Sequence, residues 1–229
     1  MSERLIIVGD IHGCYHTLLG LLRKLDYVSR SDTLVFVGDY IDRGPWAFDV
    51  VRTLRELQRQ VGRDRVICLR GNHEQFAIDY AGSLTPRWER NGGAATLRSY
   101  DLNGADMEDD IAWFRSLPLV YDAGEILICH AGLRYPQLCD NTEEDLLWGR
   151  EWIAYDRQPR EKQVVFGHTP LRTFLPYAAG TGDICIDCGC VYGGSLCALV
   201  IQEDGSRTLV SVRKSEKDSE TELENRGKE

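Results

Sequence analysis

The chain alternates short apolar runs with amphipathic stretches, and the two periods separate along it. Residues 5–8, 33–37 and 65–69 are compact apolar runs that read as buried strands. Between the first two, residues 14–25 place Leu18, Leu21, Leu22 and Leu25 at helical spacing. A second helix, opened by Pro45, runs through Val50, Leu54 and Leu57, since proline suits a first helical turn. Residues 74–81 read as a third. This β-α-β-α-β-α opening predicts right-handed crossovers and a largely parallel sheet.

The pattern then changes. Residues 83–103 are polar and Gly-rich, a loop leading into a short helix, and residues 106–116 carry Ile111, Trp113 and Phe114 as another helix. From Leu119 onward strands dominate, at 119–121, 125–129, 163–166, 183–187, 195–201 and 208–212. A long polar excursion over 134–160 interrupts them. No linker divides the halves. The expectation is an α/β fold in a single domain over residues 1–214, with two packed sheets and outer helices. Residues 215–229 carry six acids, three bases and almost nothing apolar, and read as a flexible, solvated tail.

Composition narrows the class. Hydrophobic residues make up 43% of the 229, enough for a sizeable core, yet no apolar run approaches the ~18 residues of a membrane span. The first residues lead directly into a strand without the pattern of a signal peptide, so a cytoplasmic protein is expected. Its eight cysteines are then read as thiols. Cys68, Cys129, Cys185 and Cys197 sit inside apolar runs as small hydrophobes. Cys185, Cys188 and Cys190 form the one cluster that invites a structural zinc reading. Their compressed spacing, starting inside a strand whose side chains alternate, favours core and loop thiols. A net charge of −9 argues against nucleic acid as a default partner. It leaves a phosphorylated substrate open, because bound cations reverse the local field of an acidic protein.

Chemistry concentrates where the apolar runs stop. Gly9-Asp10-Ile11-His12-Gly13, Gly38-Asp39-Tyr40-Ile41-Asp42-Arg43-Gly44, Gly71-Asn72-His73-Glu74, His130-Ala131-Gly132 and Gly167-His168 each follow a strand-like run. Together they hold four of the five histidines. Singly each has an ordinary explanation: Gly-Asp is common turn chemistry, Asn72 could cap a helix, and a lone histidine is usually just a satisfied polar group. Jointly they place carboxylate, imidazole and amide donors at successive strand ends, where open α/β sheets bind ligands. That donor set suits Mn²⁺, Fe²⁺ or Zn²⁺. Asp39, in the middle, is the natural bridge for two ions about 3.5–4 Å apart. His16 lies beyond the first motif and is expected outside the site.

These five motifs, in this order, resemble the signature of the metallophosphoesterase superfamily, and within it the phosphoprotein phosphatase family of serine/threonine phosphatases. Trp88-x-x-Asn91-Gly92-Gly93 and Asp187-Cys188-Gly189-Cys190-Val191-Tyr192-Gly193-Gly194 are similar to the small bacterial and bacteriophage-lambda-type members. The resemblance, which spans Ile6 to Leu199, implies a four-layer sandwich of two mixed β-sheets flanked by helices. It implies one metal on Asp10, His12 and Asp39, and a second on Asp39, Asn72, His130 and His168. His73 would be the general acid, oriented by Asp42, with Arg43 and Arg70 on the phosphate. Arg150 matches a third phosphate-binding arginine less closely, with Arg134, Arg157 and Arg160 as competitors. The implied reaction is in-line attack on phosphorus by a hydroxide bridging two divalent ions, Mn²⁺ first, with Fe²⁺ or Zn²⁺ as alternatives.

The substrate expected is a phosphorylated protein or peptide, with neither nucleic acid nor membrane as partner. Diadenosine tetraphosphate hydrolysis is the alternative. Such relatives tend to lack the residue matching Asp42 and to carry Asp where this chain has Glu74. No Cys-x5-Arg loop follows Cys14, which removes a cysteine-nucleophile phosphatase from consideration. An inactive phosphate-binding module and a zinc protein built on the cysteines are the readings from other classes.

Overall fold

A computed structural model describes residues 3–27, 31–83, 87–150, 161–178 and 182–226. The first sheet grows from three parallel strands, β1 (Leu5–Val8), β2 (Thr33–Phe36) and β3 (Val66–Cys68). The crossovers are α1 (Tyr15–Leu25) and α2 (Ala47–Val61), which bury Leu18, Leu21, Val50 and Leu54. After α3 (Asn72–Ser83) come α4 (Ala94–Leu102) and α5 (Glu108–Arg115). The second sheet follows with β4 (Val120–Asp122), β5 (Ile126–Cys129), α6 (Glu143–Trp148), β6 (Gln163–Phe166), β7 (Tyr177–Ala178) and β8 (Ile184–Cys185). The chain then returns to the first sheet as β9 (Ser195–Ile201) and β10 (Arg207–Arg213) and ends its described part in α7 (Glu220–Arg226).

The sheets have orders β10-β9-β1-β2-β3 and β4-β5-β6-β8-β7. Strand alternation then builds three layers of core. Ile7, Val35, Ile67 and Leu199 point from the first sheet toward Ile126, Ile128 and Val165 of the second, forming the inner seam. Their neighbours Ile6, Val8, Leu34, Phe36 and Val66 face outward under α1, α2 and α3. On the far side Leu127, Cys129, Val164 and Phe166 pack with Leu133 and Leu146 of α6. This is the expected pair of mixed sheets with outer helices. Its consequence for function is that β1, β2, β3, β5 and β6 all end at one edge of the sandwich.

Several boundaries moved. Helix α2 starts at Ala47, two residues after Pro45, and α3 starts at Asn72, so a ligand-type side chain sits in its first turn. The strand expected over 183–187 is only two residues long. In the polar excursion, α6 is announced by a capping box in which the Thr142 hydroxyl and the Asp145 backbone and side chain bond reciprocally. Residues 151–160, with Arg157 and Arg160, lie outside the described residues.

The acidic end of the chain is not a free tail through Arg226. Asp218, 1% exposed, accepts the His16 and Thr17 N–H groups at 2.9 Å each and the Thr17 hydroxyl at 2.5 Å. It thereby caps α1, whose own flank at Cys14 supplies no side-chain cap. The Trp46 indole donates to the Lys217 carbonyl at 2.8 Å, and Leu223 of α7 is buried. Among the described residues no helix is long and apolar enough to cross a membrane.

Candidate metal centre and active site

Backbone bonds between loops fix the site before any side chain is considered. The Ile11 and His12 N–H groups both donate to the Asp39 carbonyl, at 3.1 and 2.9 Å, locking the β1 loop onto the β2 loop. The approach is so close that a Cβ on Gly44 would lie 2.0 Å from the His12 carbonyl oxygen, so only glycine fits there. His12, Asp39, Asp42, Arg43 and His168 all have positive φ, between 45° and 73°. Each such non-glycine residue costs on the order of 1–3 kcal/mol, and here they gather at one sheet edge.

A buried carboxylate that the sequence reading used only to separate substrates holds this arrangement. Glu74, fully buried, accepts the N–H groups of Asp39 and Gly71 at 2.9 Å and Tyr40 at 2.8 Å. It is the clamp on the bend carrying Asp39. Burial and then the Asp39 charge push its carboxyl upward.

The donor atoms converge around Asp39. One carboxylate oxygen, Oδ2, lies 3.4 Å from His12 Nε2 and 3.9 Å from His73 Nε2. The other, Oδ1, lies 3.4 Å from His130 Nε2. Asn72 Oδ1 is 2.9 Å from His130 Nε2 and 2.8 Å from His168 Nδ1, and those two ring nitrogens are 3.2 Å apart. Among the described residues, two buried sets can hold an ion: His12, Asp39 and His73, and Asp39, His130 and His168. The cysteine cluster forms no such set. Asp10 joins from β1, its Oδ2 accepting the His168 N–H at 2.9 Å across the two sheets.

These residues fit metal. The Nδ1 hydrogens of His12 and His130 are taken by the Ile41 and Val37 carbonyls, at 2.8 and 3.1 Å, which leaves Nε2 of each ring as a lone pair facing inward. His130 Nε2, Asn72 Oδ1 and Asp39 Oδ1 therefore meet as acceptors with no hydrogen between them. Asp10 Oδ1 is buried with no hydrogen-bond partner, which is costly for a carboxylate without a cation. Burial lowers His12 and His130, and burial with neighbouring His130 brings His168 down to about 3, keeping all three rings in the neutral, ligating form. Asp39 is lowered despite its burial, because His130, His73 and His12 surround it. Asp10 is raised by burial and by the charges of Asp187 and Asp39, the repulsion a bound cation would relieve.

His73 has a second partner. Its Nδ1 lies 2.5 Å from Asp42 Oδ2, and both residues are buried. Although burial opposes it, Asp39 and Asp42 raise its pKa above the ordinary value. The expected phosphate arginines fall in different places. Arg43 lies against His12 Nε2, with its guanidinium 5.6 Å from the Tyr192 ring centre. Arg150, exposed, reaches His168 Nε2 at 3.4 Å from the other side. Arg70 is held by Glu143 at 2.7 Å, with its Nε buried and without a hydrogen-bond partner among the described residues. His16 stacks edge-on to Trp46 and Tyr15 and takes no part.

Two further residues belong here. Thr96 donates to Asp42, and Asp187 is buried beside Asp10, its carboxyl pushed up to about 7 by burial. Thr96 gave no signal, being an ordinary helix residue in the sequence. Asp187 stood in the resemblance without a role.

A sandwich with a histidine–carboxylate cluster at its strand ends, able to hold metal ions, defines a metal-dependent phosphoester hydrolase. Residues 3–210 match the calcineurin-like phosphoesterase family, and the chain belongs to it. It is 34% identical over 208 residues to serine/threonine-protein phosphatase 1 of Salmonella typhimurium, covering 86% of this chain and 91% of that one. It is also 28% identical to the asymmetrical bis(5'-nucleosyl)-tetraphosphatase PrpE of Anoxybacillus flavithermus, over 84% of this chain and 88% of that one. A solved structure described as a candidate diadenosine tetraphosphatase superposes with a TM-score of 0.70 at 27% identity, covering 94% of this chain and 96% of that one.

Proposed function

We propose that this phosphoesterase is a protein serine/threonine phosphatase that carries two divalent ions, manganese first. Asp10, His12 and Asp39 would hold one ion and Asp39, Asn72, His130 and His168 the other. Bound there, the ions would polarise the phosphoryl oxygens and lower the pKa of a bound water. The observation that carries the reading is the buried pair of His73 and Asp42 at 2.5 Å. A serine or threonine alkoxide leaves poorly and needs a proton. His73, raised in pKa by Asp39 and Asp42, keeps one available, and its Nε2 faces the centre. Arg43 and Arg150 flank the cluster from two sides, always charged and forked to hold phosphoryl oxygens, and Arg70 would join on release from Glu143.

A second reading, hydrolysis of dinucleoside polyphosphates, is favoured by one feature. The half-exposed Tyr192 ring beside Arg43 offers a planar face on which a base could stack. Turnover of a phosphothreonine peptide against diadenosine tetraphosphate, by the manganese-loaded chain, separates the two. We expect kcat/KM to favour the peptide. A strong preference for the nucleotide would overturn the proposal.

A further inference from the structure

Asp42 is held from behind. Its carboxylate is fully buried and receives four hydrogen bonds from three side chains. The Trp88 indole N–H reaches both oxygens, at 3.0 and 2.8 Å, and the Thr96 hydroxyl donates to Oδ1 at 2.7 Å. His73 Nδ1 takes Oδ2 at 2.5 Å. Thr96 is reciprocal: its oxygen also accepts the Asp42 N–H at 2.9 Å, fixing the backbone at a residue with φ 73°. On the same face of α4, Ser99 Oγ accepts the Phe48 N–H at 3.2 Å, so the helix holds the loop after β2 through Thr96 and the first turn of α2 through Ser99. The segment between Trp88 and α4 adds a third grip, the Gly92 carbonyl accepting the Arg43 N–H at 3.1 Å.

A carboxylate turns about its Cβ–Cγ bond unless its oxygens are claimed separately. Here Thr96 claims Oδ1 and the Trp88 N–H spans both oxygens, which fixes the carboxylate plane and leaves the remaining side of Oδ2 to His73. The His73 ring is thereby turned so that Nε2 stands 3.9 Å from Asp39 Oδ2. We infer that Trp88 and Thr96 are positioning residues that aim the proton-donating face of His73 by fixing the Asp42 carboxylate. The inference rests on the phosphatase reading for its kinetic consequence, but the alignment itself does not.

The test uses the full chain. Trp88→Phe keeps an aromatic ring on the side of Tyr80, whose centre lies 5.0 Å from that of Trp88, and removes the N–H together with part of the indole. Thr96→Val removes the hydroxyl at constant shape, and Thr96→Ser restores it. An ester with an activated phenol leaves without help, so misaiming the acid spares it. We expect Trp88→Phe and Thr96→Val to lower kcat on a phosphothreonine peptide roughly 10-fold at unchanged KM, a part of what a general acid contributes. On p-nitrophenyl phosphate they should lose less than about 2-fold, and Thr96→Ser should recover the peptide rate. Equal losses on both esters, a change in KM alone, or no loss would overturn the inference.

A proton NMR spectrum of the zinc-loaded chain decides the alignment without any substrate. The His73 Nδ1–H resonance, far downfield in so short a charge-assisted bond, should shift in both variants and return in Thr96→Ser. An unmoved resonance overturns the inference, even if the wild type hydrolysed no phosphomonoester and the proposed function had failed. Gly93→Ala is a further variant should those two not fold. Its backbone, φ −61° and ψ −26°, accepts alanine, but the new Cβ would lie 2.7 Å from the Trp88 ring and displace it. It should shift the same resonance, and no shift counts against the inference.

Discussion

At the scale of the residue, His73 is the position where geometry allows two roles. Its Nε2 belongs to a set that could hold an ion with His12 and Asp39, while its Nδ1 is spent on Asp42. A residue that supplies a proton must not also carry a metal. His73→Ala should therefore leave bound metal unchanged while lowering turnover of an alkyl phosphoester by about 10³-fold, and of p-nitrophenyl phosphate far less. Metal analysis beside the two rates checks this, and loss of metal would make His73 a ligand. The candidate ligands were legible in the sequence because Asp10, His12, Asp39, Asn72, His130 and His168 all fall at or just after the end of an apolar run, with glycine one or two residues away. The aim of each atom was not. That the two oxygens of Asp39 face different histidines, and that carbonyls 25 or more residues away fix the rings of His12 and His130, depends on contacts between distant loops.

At the scale of the element, strands and crossover helices followed their periods, and the misreadings were in segments whose partners lie far off in the chain. Helix α1 illustrates this. Its apolar face was evident from Leu18, Leu21 and Leu25, yet its N-terminal cap comes from Asp218, some 200 residues later. Local composition marked 215–229 as solvated because its charges outnumber its apolar residues. One buried carboxylate, Asp218, and Leu223 dock its described part, residues 215–226. Asp218→Ala should destabilise the fold by about 1–2 kcal/mol, the worth of a helix cap. That corresponds to a fall of roughly 2–8 °C in Tm by calorimetry for a chain of this size. An unchanged Tm would mean that the segment only rests on α1.

At the scale of the whole molecule, an acidic chain of net charge −9 has to bind an anionic phosphoester. The sheets solve this by bringing strand ends from both halves to one edge, where the basic partners Arg43 and Arg150 flank the carboxylates. Asp10 to His168 and His130 to Val37 are bonds between the two sheets, so the site depends on the sandwich as a unit. A bound cation would satisfy the Asp10 oxygen that has no hydrogen-bond partner among the described residues.

The central claim is that Asp39 joins two ions in one centre, and a manganese titration of the metal-stripped full chain tests it most directly. The account predicts about two ions bound per chain, with Asp39→Asn weakening both together because each loses one oxygen of the same carboxylate. A single ion in the wild type, or a variant that still binds two with undiminished affinity, would contradict it.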